Sequence, residues 1–182
     1  MKKNILYIAL LGVMSLMTVS CNSELDIEKH GNMGSMDTYY TTDDNIMTGT
    51  ASLYLEVKSA YYNWLFVKNL LSDDVWCGGG QRGDNGEMEK LNEYSFDSNH
   101  GMIESLYKGF YGIIYKANLL IDKTPESGSD VAKRAINEAK VFRALAHFEL
   151  VTLFGTAPVV NHLLTPDEYQ QSNSTPEELY AS

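Results

Sequence analysis

The residues best suited to chemistry lie between 72 and 101, in the run SDDVWCGGGQRGDNGEMEKLNEYSFDSNHG. Trp76 stands close to Gly78, Gly79 and Gly80, where an indole can reach solvent. A flat ring presented this way can stack on a sugar face. Irregular segments of such length in compact domains are usually functional or mobile. Other chemistries compete for the same loop. A phosphate-binding loop needs Lys-Ser/Thr at its end and a helix directly after, and neither is present. Arg82-Gly83-Asp84 matches an adhesion tripeptide, but the match is too short to carry a function. Asp73, Asp74, Asp84, Glu87 and Glu89 are oxygen ligands of the kind calcium takes, without a recognised loop pattern. The plainest alternative is a solvated loop with Trp76 laid against a helix.

Catalysis finds no foothold. No Ser-His-Asp, Cys-His or paired-carboxylate arrangement can be placed, and Glu138 and Glu149 read as ordinary helix residues. His30, His100, His147 and His162 lack metal-ligand spacing, so no metal and no cofactor is expected. The two cysteines, Cys21 and Cys77, form no CxxC pair and no disulfide framework. Cys77 has no His or Lys beside it to lower its pKa and is assigned no reactivity. The net charge is −10, and no basic run with interleaved aromatics occurs, which argues against nucleic acid.

The elements that must position these residues are helical. The chain has 182 residues, 44% of them hydrophobic, enough for one domain with a real core. Thr42 caps a helix whose apolar line runs Ile46, Thr50, Leu53, Val57, Ala60, Trp64, Val67, Leu71 and stops before Ser72. A break is conceivable near Asn63, and Trp64 belongs to the core line. A second helix covers 102–122, capped by Ser98 or Asn99 and closed by Thr124-Pro125. Gly109 and Gly112 inside it each cost about 0.5–1 kcal/mol against Ala, a cost normally returned by close approach of another helix.

A third helix occupies most of 133–160. One apolar line is Ala139, Phe142, Ala146, Leu150, Leu153, and another is Val141, Leu145, Phe148. Lys133, Asn137, Lys140 and His147 make the polar stripe between them. Gly155 suits a positive-φ cap and Pro158 blocks continuation. Ser127-Gly128-Ser129-Asp130 joins the two helices into an αα-hairpin with the 102–122 helix, so that Gly109 and Gly112 would admit the third helix. Arg143 sits on an apolar line and must find a partner; Asn118 across the hairpin is the candidate. Thr175-Pro176-Glu177-Glu178 announces one more helix. The fold class is all-α.

Two segments carry a family resemblance. Glu138-Ala139-Lys140-Val141-Phe142-Arg143-Ala144, with Phe148, Leu150, Val151 and Phe154-Gly155-x-x-Pro158-Val159, resembles the signature helix of the SusD/RagB family. Leu106-Tyr107, Ile113 and Ala117-Asn118-Leu119-Leu120-Ile121 resemble its second long helix. These are surface lipoproteins of Bacteroidota that bind nutrients beside a TonB-dependent transporter. The resemblance implies tetratricopeptide-like helical hairpins and a SusD-like N-terminal helical domain over 41–182. It spans 17–182 and matches only the N-terminal part of the family, a truncated SusD-like N-terminal domain. The remaining helices and much of the usual ligand face are then expected outside this chain. The second apolar line, with Val141 and Phe148, is then an open surface.

The N-terminus agrees with that family. Lys2-Lys3 and an apolar run from Ile5 to Val19 make residues 1–20 an export signal, too short for a membrane span of about 20 apolar residues. Thr18-Val19-Ser20-Cys21 resembles a lipobox, with Thr18 where Leu usually stands, so Cys21 is the expected lipidation site. Glu24, Asp26 and Glu28 follow it, resembling a surface-export signal, and residues 21–40 read as a flexible tether. Without 1–20 the net charge becomes −12. The resemblance implies an outer-membrane, surface-exposed lipoprotein that captures glycans or other nutrients with a SusC-like transporter. The alternative is a lipid-anchored scaffold that touches the transporter without a ligand of its own. Cys21→Ala should abolish palmitate labelling and surface exposure; an unchanged location in fractionated cells refutes the anchor.

Overall fold

Six helices and one 3-10 turn make up the described residues, 36–126 and 128–182 of a computed structural model. They are α1 (Met36–Tyr39), α2 (Asp43–Leu70), α3 (Gly86–Asn92), α4 (Gly101–Lys123), α5 (Asp130–Phe154) and α6 (Pro176–Ala181), with the turn at Pro166–Glu168. The expected export signal 1–20, the expected lipidation site Cys21, the expected tether up to residue 35 and Ser127 lie outside the described residues. None of the described helices is long and apolar enough to cross a membrane. The all-α expectation holds, relieved among the described residues by a lone antiparallel bridge between Ala157 and Ser174.

The long helices run up, down and up. Gly49 of α2 lies beside Leu120 of α4, and Ala60 lies beside Gly109, so α2 and α4 are antiparallel. Trp64 and Lys68 of α2 reach Glu149 of α5, and Tyr54 reaches Glu138, so α2 and α5 run the same way. α4 is therefore the middle helix. Leu106, Phe110, Ile113, Ile114, Ala117, Asn118, Leu119 and Leu120 are all buried on it. A helix buried on two sides must be apolar over most of its circumference, as this one is.

The caps explain where the elements start. Thr42 Oγ1 accepts from Asn45 N–H at 3.4 Å, and Ser129 Oγ accepts from Ala132 N–H at 3.2 Å. Gly155 takes φ 75°, a backbone that ends α5 at little cost only for glycine. The start of α4 departs from expectation. His100, not Ser98 or Asn99, holds the N-cap position and makes no side-chain cap bond. The Glu87 carboxylate lies beside that start, 3.3 Å from His100 Nε2, with the Glu87 main-chain oxygen 2.8 Å from the same nitrogen.

Further corrections concern packing. Gly109 and Gly112 face α2, where a Cβ would stand 3.1 Å from Ala60 Cβ and 2.5 Å from Glu56 Oε1, and not α5. α2 is unbroken at Asn63. Residues 36–40 are not tether: α1 delivers Tyr40 to the core, where Gly49 leaves space for its ring. The segment 72–101 is not wholly irregular, because α3 forms within it and buries Leu91. Glu149 is no ordinary helix residue. It is 3% exposed, with Lys68 Nζ at 3.1 and 2.9 Å from its two oxygens and Trp64 Nε1–H donating at 3.0 Å. Burying a carboxylate is tolerable only with partners this close. Trp64 is half-buried, edge-on to Phe110.

His147 leaves the expected polar stripe for the interior, where burial is almost complete. Its Nε2 accepts from Val160 N–H at 3.4 Å, which leaves Nδ1–H to donate to Ser182 Oγ at 3.0 Å. Burial first, and then the charge of Arg143, push its pKa down to about 4. The unfolded chain takes that proton near pH 6.5, so acid favours unfolding. Stability should be flat above about pH 6.5 and fall as the pH drops towards 4, by about 2 kcal/mol between pH 7 and 5. Urea midpoints of the parent and of His147→Gln across that window check it; an equal slope in both would refute the assignment.

Candidate functional site

The loop between α2 and α4 is built by side chains accepting or donating to its own backbone. Asn92 of α3 donates from Nδ2 to Leu70 O at 2.9 Å and Val75 O at 2.8 Å, and its Oδ1 accepts from Cys77 N–H. Tyr94 O–H donates to Leu71 O. Asp84 Oδ2 accepts from Gly80 N–H at 2.7 Å and Gln81 N–H at 2.9 Å. Glu89 takes the Gly83 N–H on both oxygens, at 2.8 and 2.9 Å, and Gly83 has φ 93°. Arg82 forks onto Glu93, Nη1 to Oε1 at 2.8 Å and Nη2 to Oε2 at 2.9 Å.

These bonds decide between the earlier readings of the loop. Asp84 and Glu89 each accept from loop amides, and Glu87 pairs with Lys90 at 2.8 Å. Among the described residues, no three metal-ligating side chains stand together. Arg82-Gly83-Asp84 is stitched into the loop rather than held out as a tripeptide. Burial, then Glu89, raises the Cys77 thiol above its ordinary value, which lowers its thiolate content.

Trp76 is not laid against a helix. It is 74% exposed and stands between two depressions. One, of about 310 Å³, is of mixed character and lined by Gly79, Gln81, Arg82, Glu89 and Glu93 beside the indole. The other, of about 540 Å³, is apolar and lined by Tyr62, Leu65, Phe66, Val75 and Met88. Both volumes fall in the range of small-ligand sites. Tyr62 and Phe66 form a tilted ring pair with centroids 4.7 Å apart. Sequence reasoning found Trp76 and missed this second wall. Its signal was an aromatic pair four residues apart, off the core line of α2.

Asn118 and Arg143 meet where the sequence placed them as partners. Arg143 Nη1 donates to Asn118 Oδ1 at 2.8 Å and to Asn161 O at 2.5 Å. Asn118 is fully buried, and its Nδ2 donates to Val160 O and His162 O, each at 3.0 Å. Tyr111 O–H donates to Pro158 O at 2.7 Å, and Asp122 Oδ2 accepts from Leu163 N–H at 2.7 Å. Positions 111, 118 and 122 lie on one face of α4, so this helix holds the extended run 158–163 along its length. Burial pushes the Tyr111 hydroxyl up, with Tyr107 adding to the shift. Burial also lowers Arg143, against the pull of Asp122.

With this geometry in hand, the comparisons are direct. A family model described as "Starch-binding associating with outer membrane" matches residues 80–182. The chain belongs to the SusD-like family. SusD-like protein P2 of Formosa agariphila is 27% identical over 91% of this chain and 33% of its own length. SusD-like protein P38 of the same organism is 25% identical over 82% of this chain and 28% of its own. A solved structure described as a laminarin binding SusD-like protein superposes with a TM-score of 0.68, at 27% identity, over 78% of this chain and 32% of that one. The chain thus spans about a third of the length of these relatives.

SusD-like proteins are a carbohydrate-binding, non-catalytic family. The matched residues include Asn118 and Arg143, while Trp76 lies just ahead of them. In this SusD-like chain the buried amide of Asn118 and the half-buried guanidinium of Arg143 hold the backbone that follows α5. Asn118→Leu keeps the volume but strands two carbonyls and part of a half-buried guanidinium. It should cost about 2–4 kcal/mol, with faster proteolysis within 158–163; unchanged urea stability would remove the pair from this role.

Proposed function

We propose that this chain is part of a cell-surface lipoprotein that captures glycans for uptake through a TonB-dependent, SusC-like transporter. The supporting observation is Trp76, an indole exposed on a loop whose backbone is tied down by Asn92, Asp84 and Glu89. A ring held still before the ligand arrives loses little entropy on binding, which is what stacking on a sugar face rewards. Gln81, Arg82, Glu89 and Glu93 supply donors and acceptors for hydroxyls on one side of it. Tyr62 and Phe66 add aromatic surface on the other. The laminarin-binding relative supports a glycan as the ligand class. The family's association with the outer membrane supports the location, and the Cys21 lipobox supports a lipid anchor.

A second reading is a helical scaffold that contacts the transporter and binds no glycan itself. It draws on the open face of α5, where Val141 is 67% exposed and Phe148 lies uncovered beside Tyr180. Trp76→Ala separates the two. Its removal from an exposed loop should leave stability within about 0.5 kcal/mol, while glycan-array or calorimetric binding falls roughly tenfold or more. Undiminished binding would move the ligand away from Trp76. No glycan binding by the parent chain, with retention of a co-purifying transporter, would favour the scaffold.

A further inference from the structure

We infer that the Trp76 site selects uncharged glycans and discriminates against uronate- or sulfate-bearing ones, an inference that rests on the glycan-binding reading above. Arg82 is the cation among the residues lining the two depressions, and both of its Nη groups are already committed to Glu93. Glu89 lines the same wall, so the charged groups of that depression sum to a net negative site. The neighbouring cations are committed as well. Lys68 is held by both oxygens of Glu149, and Lys90 by Glu87.

The loop around the site reinforces that sign. Residues 72–100 carry seven acids, Asp73, Asp74, Asp84, Glu87, Glu89, Glu93 and Asp97, against Arg82 and Lys90. Most lie within a short exposed segment, where screening by physiological salt acts over about 8 Å and leaves the closest pairs unscreened. An anionic sugar would have to open the Arg82–Glu93 fork or approach Glu89 and Glu93 with like charge. A neutral sugar meets no such obstacle. Its hydroxyls donate to the free lone pairs of Glu89 and Glu93, accept from Gln81, and leave the fork intact. The discrimination therefore comes from a repulsive element as much as from the attractive one.

The test is a titration of the full chain by calorimetry with neutral gluco-oligosaccharides and with oligogalacturonates of equal length, at low and high salt. Neutral ligands should bind in a Trp76-dependent way and uronates at least about tenfold more weakly at low salt, with the gap narrowing as salt rises. Glu93→Gln, which frees Arg82, and the exposed-acid variant Asp73→Asn/Asp74→Asn should each improve uronate binding. Uronates that bind as tightly as neutral ligands, and lose binding in Trp76→Ala, would overturn the charge selection and leave the glycan reading standing. Failure of every oligosaccharide to bind would overturn the glycan reading, and the selection with it.

Discussion

The structure depends on one constraint: α4 is covered on both sides, so every polar group it buries must be satisfied inside the protein. Asn118 is where that constraint bites. A side-chain amide offers two donors and one acceptor, and here all three functions find partners on two other stretches of chain, Arg143 on α5 and Val160 and His162 in the run that follows it. A buried amide left unmatched would cost about 1–3 kcal/mol. Matched, it fixes the height of α5 against α4 and the path of the backbone leaving α5. Tyr111 and Asp122 extend the same arrangement along the helix. Among the described residues the run 158–163 pairs with no strand, and α4 supplies what a sheet would otherwise supply.

How much of this was legible follows from which interactions are local. The caps at Thr42, Ser129, Gly155 and Thr175, and the apolar lines of the three long helices, depend on residues within a turn or two, and the spacing displays them. Arg143 on an apolar line demanded a partner, and the opposing helix of a hairpin is a short search. Gly109 and Gly112 showed that a close neighbour exists without showing which helix it is. That choice turns on the middle position of α4, a property of the whole fold. Glu149 and His147 each looked like surface residues, because helical position alone does not reveal that Lys68, Trp64, Val160 or Ser182 arrives to meet them. α3 escaped notice because seven residues carry too short a period to read, and Asn92 on it could not be recognised as the anchor of the loop.

The loop and the helical layer divide the work physically. The layer is rigid because its apolar area is buried against α4. The loop has little apolar burial apart from Leu91 and holds its shape through polar bonds instead. Those bonds leave Trp76 without a packing partner that would claim its ring. An exposed indole on a mobile loop would fold back on the nearest apolar surface, here Tyr62 and Phe66. Asn92 prevents this by gripping the backbone on both sides of Trp76, at Val75 and Cys77. The opening between the ring and those aromatics is therefore a consequence of the anchor.

Stability is graded along the chain in the same order as burial. α4 cannot loosen without exposing both of its neighbours. α5 spends its Ala139–Leu150 line on α4 and leaves Val141 and Phe148 to α6 and solvent. α6 is six residues long, far below the length at which an isolated helix persists. Its order rests on the Thr175–Glu178 capping box, on the burial of Leu179 against α5, and on Ser182 meeting His147. Two of those three supports belong to α5. The last helix is thus conditional on the one before it, and α5 on the amide at Asn118. Opening should proceed from α6 inward, with the run 158–163 released only when the bonds to α4 give way.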